Sequence, residues 1–405
     1  MGEGEARPGL DGRQPQGALC GGEGLIFHLQ SQFLNSTRSY DLVFLGAGCA
    51  TLSLLVRLAR SGYLSNKRVL VYERSPKNLN DRTWCFWEKG EGFFEEVVHH
   101  SWDTVGFYSN EFSSDLTLAP YRYKMIRGID FYRHCMGVLE QYPQVEFRYE
   151  EVGATEVIQR LAPVVFNSIY DPSQKDPRAT HLLQHFKGRV IETAEDFFDP
   201  AQATLMDFRV DQGHGTTFAY VLPLTRRKAL VEYTLFTERL LSDAEYDRGL
   251  DDYMDRFMKI GPHQVIEEEF GVIPMTGQSF PFYRNGMYQL GTAGGQTKAS
   301  SGYTFQFIQK RSDLIARALI EGRSLYQLPS DSSRFLFYDR VLLEVLAKGL
   351  WPGDRVFARL FARNPVQRVF AFLDNETNLM DELKLISSLP KLPFMQAAGR
   401  VLAPR

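Results

Sequence analysis

Two glycines behind a short apolar run form the most chemically specific pattern in this 405-residue sequence. The run from Leu42 to Leu45 breaks at Gly46 and Gly48, and a helical apolar pattern begins beyond Cys49. This order predicts a strand, a tight turn and a helix whose free N–H groups and missing side chains receive a pyrophosphate. A dinucleotide site is therefore predicted at the turn, made of Gly46, Ala47, Gly48, Cys49 and Ala50.

A second strand after the first helix supports a nucleotide site. The segment from Arg68 to Glu73 ends in an acid, at about the position where a carboxylate accepts hydrogen bonds from a ribose. The fingerprint departs from its usual form at Thr51, which stands where a third glycine is expected. The packing of helix against strand must then be relaxed at Thr51 or supported by Ala50. An ordinary strand–helix–strand unit without a nucleotide is the alternative interpretation.

One acid inside an apolar strand is the candidate for proton chemistry. The segments 218–224 and 229–236 predict a β-hairpin, in which alternation places Glu232 on one face with Leu230 and Phe236. Both faces of this strand are largely apolar, so Glu232 is expected in a poorly hydrated place. Desolvation raises the pKa of a carboxyl and keeps it protonated near neutrality, as a general acid requires. A solvent-facing strand position is the alternative.

The loop after the second strand turns abruptly from charged into aromatic residues. Asp81 and Arg82 either contact the cofactor or pair with each other at the surface. Trp84, Phe86 and Trp87 either line a site, where their ring faces stabilise a cation, or belong to the core. The sequence alone leaves both alternatives open.

A second glycine turn late in the chain completes the predicted architecture. A short strand leads into Gly291, Gly294 and Gly295, and a long helix is predicted from 304 to 321. A β-rich stretch separates the two turns, as in a flavin-binding domain that is closed by both ends of the chain. We predict a mixed α/β fold with a Rossmann-like flavin-binding domain (39–170 and 265–325), an inserted β-sheet substrate domain (171–264) and a helical C-terminal region (326–405).

Composition and charge argue against several classes of function. A formal net charge of −3 and the lack of a basic tract argue against a general nucleic-acid-binding protein. Four cysteines without C-x-x-C spacing and eight histidines without an obvious third ligand predict neither a disulfide framework nor a metal site. The 30 phenylalanines suit a large apolar pocket, a membrane-touching surface or a well-packed core.

We expect a soluble or peripheral protein. The N-terminal stretch is Gly-rich and polar, unlike a signal peptide, and residues 1–38 are predicted to be a disordered extension. No uninterrupted apolar run is long enough to cross a bilayer. The segments 356–372 and 389–401 are candidates for a membrane-contacting surface, with buried packing as the alternative.

Several motifs occur in order from Tyr40 to the C-terminus, and together they resemble the FAD-dependent lycopene β-cyclases of carotenoid-making bacteria. Such an ordered set is far more specific than any single member. The motifs are DLVFLGAG (41–48), RTWCFW (82–87), LLQHFKG (182–188), ATLMDF (203–208), FAYVLPL (218–224), LVEYT (230–234), GVIP (271–274), GTAGG (291–295) and SGYTF (301–305).

The resemblance implies a p-hydroxybenzoate-hydroxylase-like flavoprotein with bound FAD. It implies that Glu232 donates a proton to the acyclic end of lycopene, or of another acyclic carotenoid, which then closes to a β-ionone ring. The products would be γ-carotene and then β-carotene. FAD would be required in its reduced form although this isomerisation consumes no electrons, with NAD(P)H as the reductant. Peripheral attachment to the cell membrane, on the cytoplasmic side, is implied as well because the membrane dissolves the substrate.

Two rival functions remain open at this level. A flavin monooxygenase or a prenyl reductase of the same fold would consume NAD(P)H in proportion to its product. A non-catalytic carotenoid-binding protein would keep the nucleotide domain but would not need Glu232.

One residue departs from the family pattern. Asn167 stands where the family usually has Asp, and this argues against a charge-based role at that position.

Overall fold

A computed structural model of the chain describes residues 39–152, 155–330 and 332–403. The predicted disordered extension, residues 1–38, lies outside the described residues.

The strands of the described residues fall into three sheets. They are β1 (Leu42–Leu45), β2 (Val69–Glu73), β3 (Thr83–Lys89), β4 (His100–Trp102), β5 (Thr104–Tyr108), β6 (Ser113–Thr117), β7 (Tyr121–Arg127), β8 (Val145–Tyr149), β9 (Val164–Asn167), β10 (His181–Thr193), β11 (Gln202–Asp207), β12 (Thr216–Pro223), β13 (Lys228–Thr237), β14 (His263–Thr276), β15 (Tyr283–Arg284) and β16 (Met287–Gln289).

The α-helices lie between these strands and, towards the C-terminus, after them. They are α1 (Cys49–Arg60), α2 (Gly128–Leu139), α3 (Thr155–Leu161), α4 (Asp243–Tyr253), α5 (Phe305–Ile320), α6 (Ser333–Ala347), α7 (Gly353–Arg363), α8 (Val366–Leu373), α9 (Leu379–Ser387) and α10 (Lys391–Leu402). The predicted hairpin is confirmed as β12 and β13, and the predicted helix at 304–321 is confirmed as α5.

The first sheet has six strands in the order β15-β16-β9-β1-β2-β8, and β1 pairs in parallel with both β2 and β9. Leu42 and Phe44 of β1 face a core shared with α1, α2 and α5. Val43 and Leu45 face a second core that includes Ile158 of α3. A parallel sheet covered on both faces explains the uninterrupted apolar run of β1.

The second sheet has seven strands in the order β14-β10-β13-β12-β11-β5-β6. Its pairing is antiparallel except for β11 and β5, which run parallel. The sheet therefore extends beyond the predicted range 171–264. β5 and β6 come from the segment 39–170, which was predicted to belong to the flavin-binding domain, and β14 continues to Thr276. This assignment needs correction because the composition of a strand does not reveal which distant strand it pairs with.

β3 lies where the cores of the two large sheets meet, in a small sheet with β7 and β4. Phe86 is buried in the core of the first sheet and stacks on Phe305 of α5, with ring centroids 4.5 Å apart. Trp87, the next residue, belongs to the core of the second sheet and stacks on Phe370 of α8 at 4.2 Å. The alternation of side chains along β3 thus joins the two parts of the molecule.

Helices cover both faces of the seven-stranded sheet. On one face, Phe361 and Phe357 of α7 stack on Phe107 and Phe208, with centroids 4.6 Å and 5.5 Å apart. On the other face, α4 contributes to a separate apolar core. The predicted helical C-terminal region is thus part of the fold's main core. Within the described ranges, every helix is too short or too polar to cross a lipid bilayer.

Removal of the Phe357 ring should test how strongly α7 holds the second sheet. Phe357 is 4% exposed, so Phe357→Ala should lower the free energy of unfolding by about 3–5 kcal/mol, the usual loss for a buried aromatic. Phe197, which is 42% exposed, gives a matched control, and Phe197→Ala should cost about 1 kcal/mol or less. Denaturant unfolding of both variants measures the difference, and equal losses would contradict this role for α7.

Candidate active site

The first glycine turn is shaped by two different requirements. Gly46 has φ of +87°, a conformation that side chains rarely adopt, and a Cβ on it would lie 2.6 Å from Oγ of Ser168. A Cβ on Gly48 would meet no atom within 4 Å. The backbone beside Gly48 is therefore open at the start of α1, where N–H groups and the helix dipole favour a phosphate.

The acid at the end of β2 lies against this turn. Oε2 of Glu73 accepts a hydrogen bond from the backbone N–H of Ala47 at 2.7 Å. Lys77 is 3.5 Å from Oε1 of the same carboxylate. Glu73 is thus held beside the open backbone of the turn, within the region where a nucleotide ribose would follow its phosphates.

The second glycine turn packs against the first. Gly291 has φ of +58°, and a Cβ on it would lie 3.2 Å from Cβ of Ala50. A Cβ on Gly294 would lie 2.4 Å from the carbonyl oxygen of Gln289, and Gly295 has φ of +73°. The two predicted turns, separated by more than two hundred residues, are thus brought together, and the open backbone at Gly48 beside them leaves room for a dinucleotide such as FAD.

Two residues that depart from the expected pattern have structural roles. Thr51 is fully buried, and its hydroxyl donates to Oγ of Ser168 at 3.3 Å, so the packing of α1 on β1 is not relaxed there. Oγ of Ser168 in turn donates to the carbonyl of Leu45 at 2.9 Å. Nδ2 of Asn167 donates to Oε1 of Gln289 at 2.8 Å and thereby ties β9 to β16.

A cavity of about 210 Å³ lies where β3, the second sheet and the start of α5 meet. The predicted site residues Arg82, Trp84 and Glu232 line it, with Arg82 on the exposed side. Further lining residues include Thr83, Cys85, Tyr123, Gln184, Tyr220, Glu269, Tyr303 and Phe305. The cavity thus combines the carboxyls of Glu232 and Glu269, and that of Asp81 at its exposed side, with aromatic and hydroxyl groups.

Glu232 and Glu269 approach each other across a glycine of the strand between them. Gly188 of β10 is in register with Glu232 of β13 on one side and with Glu269 of β14 on the other. A Cβ on Gly188 would lie 2.9 Å from Cγ of Glu232 and 3.0 Å from Cγ of Glu269. The two side chains therefore occupy the space that any larger residue at position 188 would fill.

The surroundings of Glu232 favour its neutral form. Burial, and after it the negative charge of Glu269, raise the pKa of Glu232 well above its ordinary value. Burial also raises the pKa of the Cys85 thiol and of the Tyr220 and Tyr303 hydroxyls, so these neighbours are neutral as well. The protonated carboxyl that proton donation requires is thus built into the cavity wall.

Glu269 is a site residue that the sequence reading missed. Its Oε2 accepts a hydrogen bond from Oγ1 of Thr83 at 2.9 Å, and its Oε1 is buried without a hydrogen-bond partner among the described residues. In the sequence it follows Glu267 and Glu268, and such an acidic run is typical of a solvated strand edge. The available signal was Gly188, because a glycine inside a strand often marks a close approach of other groups.

The three aromatic candidates, Trp84, Phe86 and Trp87, lie in different surroundings. Trp84 lines the cavity and makes an edge contact with Phe131, with centroids 5.3 Å apart. Phe86 does not line it and is 4% exposed in the core of the first sheet. Trp87 borders a small separate apolar cavity beside α7 and α8. Only Trp84 is therefore positioned to face a group that binds beside Glu232.

Residues 41–399 match the family model for lycopene cyclase proteins. The chain belongs to the lycopene cyclase family. It is 24% identical to the chloroplastic neoxanthin synthase of Solanum lycopersicum over 79% of this chain and 67% of the relative. It is 22% identical to the lycopene beta-cyclase of Pantoea ananas over 90% of this chain and 98% of the relative. The predicted family is confirmed.

Solved structures show the same fold at low sequence identity. The flavin-dependent brominase Bmp2 matches with a TM-score of 0.53 and 12% identity, over 89% of this chain and 98% of that chain. Other solved reductases and monooxygenases match at the same level. The predicted fold, a p-hydroxybenzoate-hydroxylase-like flavoprotein with a helical C-terminus, is confirmed.

The raised pKa of Glu232 should make stability depend on pH in a defined direction. Protonation of Glu232 stabilises the native state relative to the unfolded chain. This contribution is fully present below pH 4.5, the ordinary pKa of the carboxyl, and is lost as the pH rises through the raised pKa of the native state. Glu232→Gln stays neutral, so it should unfold at a higher temperature than the wild type at neutral and alkaline pH.

Thermal unfolding between acidic and alkaline pH measures this effect, and the advantage of Glu232→Gln should disappear below pH 4.5. Glu267→Gln, at an exposed position of β14, is the matched control and should show no such pH-dependent gain. A constant difference between wild type and Glu232→Gln at every pH would contradict the raised pKa.

Proposed function

We propose that the chain is a lycopene β-cyclase that closes the acyclic ends of lycopene to β-ionone rings, giving γ-carotene and then β-carotene. Other acyclic carotenoids with the same end group are substrates of the same kind. The observation that carries this proposal is the carboxyl of Glu232 in the cavity wall of a lycopene cyclase family member, with a pKa that desolvation and the negative charge of Glu269 raise.

The reaction begins with transfer of the Glu232 proton to the terminal double bond of the substrate. The neighbouring double bond attacks the resulting cation, a carbon–carbon bond closes the ring, and a ring proton leaves. Hydrogen atoms are rearranged and none is gained, so the reaction is an isomerisation. Trp84 stabilises the cation through its ring face, by about 0.5–2 kcal/mol. The aromatic and tyrosyl walls of the cavity limit access of water to the cation.

The two glycine turns and Glu73 would hold FAD. The open backbone at Gly48 suits the phosphates of such a ligand, and the carboxylate of Glu73 beside Ala47 suits its ribose. When bound in its reduced form, FAD would supply negative charge that stabilises the substrate cation. Arg82 stands at the exposed side of the cavity, where it would contact the cofactor. NAD(P)H is the reductant that we propose, bound transiently.

Cyclisation of lycopene in liposomes, in D₂O and without oxygen, tests the proposal. With FAD and dithionite or NADPH, the wild type should form rings that carry solvent deuterium, without net NADPH consumption beyond flavin reduction. Glu232→Gln should lower the rate by about 10²–10⁴-fold, since this residue is the general acid, while flavin absorbance shows that FAD stays bound.

Glu267→Gln is again the matched control and should keep the wild-type rate. An unchanged lycopene pool with the wild type would overturn the proposal. NADPH consumption in proportion to product would replace it with a reductase or monooxygenase function.

We also propose that α9 and α10 contact the membrane surface that contains the substrate, on the cytoplasmic side. Six large apolar side chains on these consecutive helices are each more than 60% exposed, and exposed apolar patches commonly mark interaction surfaces. They are Leu379, Met380, Leu383, Leu392, Met395 and Leu402. The other candidate segment, 356–372, instead buries Phe357, Phe361 and Phe370 in the core.

Vesicle flotation tests this surface. Leu392→Glu combined with Met395→Glu should reduce the vesicle-bound fraction at least tenfold, because charged residues do not enter the apolar part of the bilayer. The rate on detergent-dissolved lycopene should be unchanged. Leu79→Glu, at another position that is 71% exposed, should bind vesicles like the wild type. Equal binding by all three proteins would exclude α10 as part of the contact surface.

A further inference from the structure

The carboxyl of Glu269 lies beside Glu232 in the same cavity, a position that indicates a second reacting group. β10 separates β13 from β14, so the backbones that carry Glu232 and Glu269 are two strand spacings apart, about 9–10 Å. The side chains close this gap only because Gly188 leaves the space between them empty. Two neighbouring acids in one cavity do not stabilise a sheet, so their proximity indicates a functional role.

The groups around this pair do not neutralise two negative charges. Cys85 of β3, Tyr123 of β7, Tyr220 of β12 and Tyr303 face the cavity, and burial keeps each of them in its neutral form. The charged lining residues besides the pair are Asp81 and Arg82, both exposed to solvent.

The guanidinium of Arg82 donates to the carbonyl oxygen of Asp81 at 2.8 Å. Two neighbouring carboxyl groups without a buried cation cannot both be ionised, so the pair of Glu232 and Glu269 carries one proton.

The hydrogen bonds distinguish the two members of the pair. Thr83 donates its hydroxyl to Oε2 of Glu269, and this donor favours negative charge on Glu269. The proton then resides on Glu232. Oε1 of Glu269 is buried with no hydrogen-bond partner among the described residues, and it is thus available to a group that enters the cavity.

We propose that Glu269 is a second catalytic residue, the ionised partner of Glu232, which faces the substrate cation and accepts the proton that leaves the ring. This inference rests on the proposed cyclisation. Glu232 loses its O–H bond as the terminal C–H bond forms, the ring C–C bond closes, and a ring C–H bond breaks as the Glu269 O–H bond forms. Glu269 then releases this proton to solvent at the exposed side of the cavity, and Glu232 takes up a proton from solvent. The cycle restores both groups and needs no oxidant or reductant.

Glu269→Gln tests this role with two measurements. The cyclisation rate should fall about 100-fold or more, as expected for loss of a general base. The decline of the rate at high pH should also move to lower pH, because removal of the neighbouring negative charge lowers the pKa of Glu232. A merely structural residue would not move this limb of the pH profile. Glu269→Asp, which keeps a carboxylate, should restore part of the rate.

Glu268→Gln is the matched control. Glu268 is the preceding residue of β14, is exposed, and pairs with Arg189 at 3.1 Å, so the variant should keep the rate and the pH profile of the wild type. A wild-type rate and an unshifted alkaline limb in Glu269→Gln would overturn the proposal.

Infrared spectroscopy of the carboxyl groups separates this proposal from the proposed function. At neutral pH the difference spectrum between the wild type and Glu232→Gln should show the carbonyl band of a protonated Glu232, separate from that of Asp374, whose pKa burial raises to about 7. In Glu269→Gln the Glu232 band should be titrated at lower pH. These bands do not depend on lycopene turnover, so a chain that fails to cyclise lycopene can still reveal the shared proton. A band that is identical in wild type and Glu269→Gln at every pH would exclude the coupled pair.

Discussion

The absence of a side chain at Gly188 is the constraint on which the rest of the site depends. It permits Glu232 and Glu269 to meet over the middle strand of β13, β10 and β14, in a cavity that keeps one carboxyl protonated. Burial of an acid opposes folding above its ordinary pKa, so the remainder of the molecule must supply stability to offset this cost. The cores on both faces of the seven-stranded sheet do so.

The cavity exists because two independently packed parts of the molecule meet there. β3 contributes Phe86 to the core of the first sheet and Trp87 to the core of the second. The earlier residues of the same strand, Thr83 and Trp84, line the cavity. A cavity with charged groups can form at such a joint without opening either core. The donor to Glu269 and the ring of Trp84, which we propose to face the cation, are therefore positioned by one strand and its neighbours.

The parts of the site that follow from local sequence could be predicted, and the parts that follow from distant pairing could not. The turn at Gly46 and Gly48 and the poorly hydrated position of Glu232 depend on motifs of a few residues. Glu269 depends on β10 pairing with two strands at once, and no local pattern specifies that arrangement. The same reason explains why β5 and β6 were included in the segment predicted to be the flavin-binding domain, since β11, the partner of β5, lies about a hundred residues further along the chain. Thr51 shows a smaller limit, because its buried bond to Ser168 depends on the distant β9 segment.

The fold itself does not decide between electron transfer and proton transfer, since flavin-dependent enzymes of other activities share it. The proposed cyclisation uses a protonated carboxyl and an ionised partner, a pair that a hydride or oxygen transfer does not need. The residue that permits the two acids to meet is then Gly188, which takes no part in the reaction itself. In a chain of this fold with a larger side chain at that position, the two acids could not converge, and the same cavity could bind an apolar substrate without a shared proton to start the reaction. The chemistry of the site therefore depends as much on an empty position in the central strand as on the acids beside it.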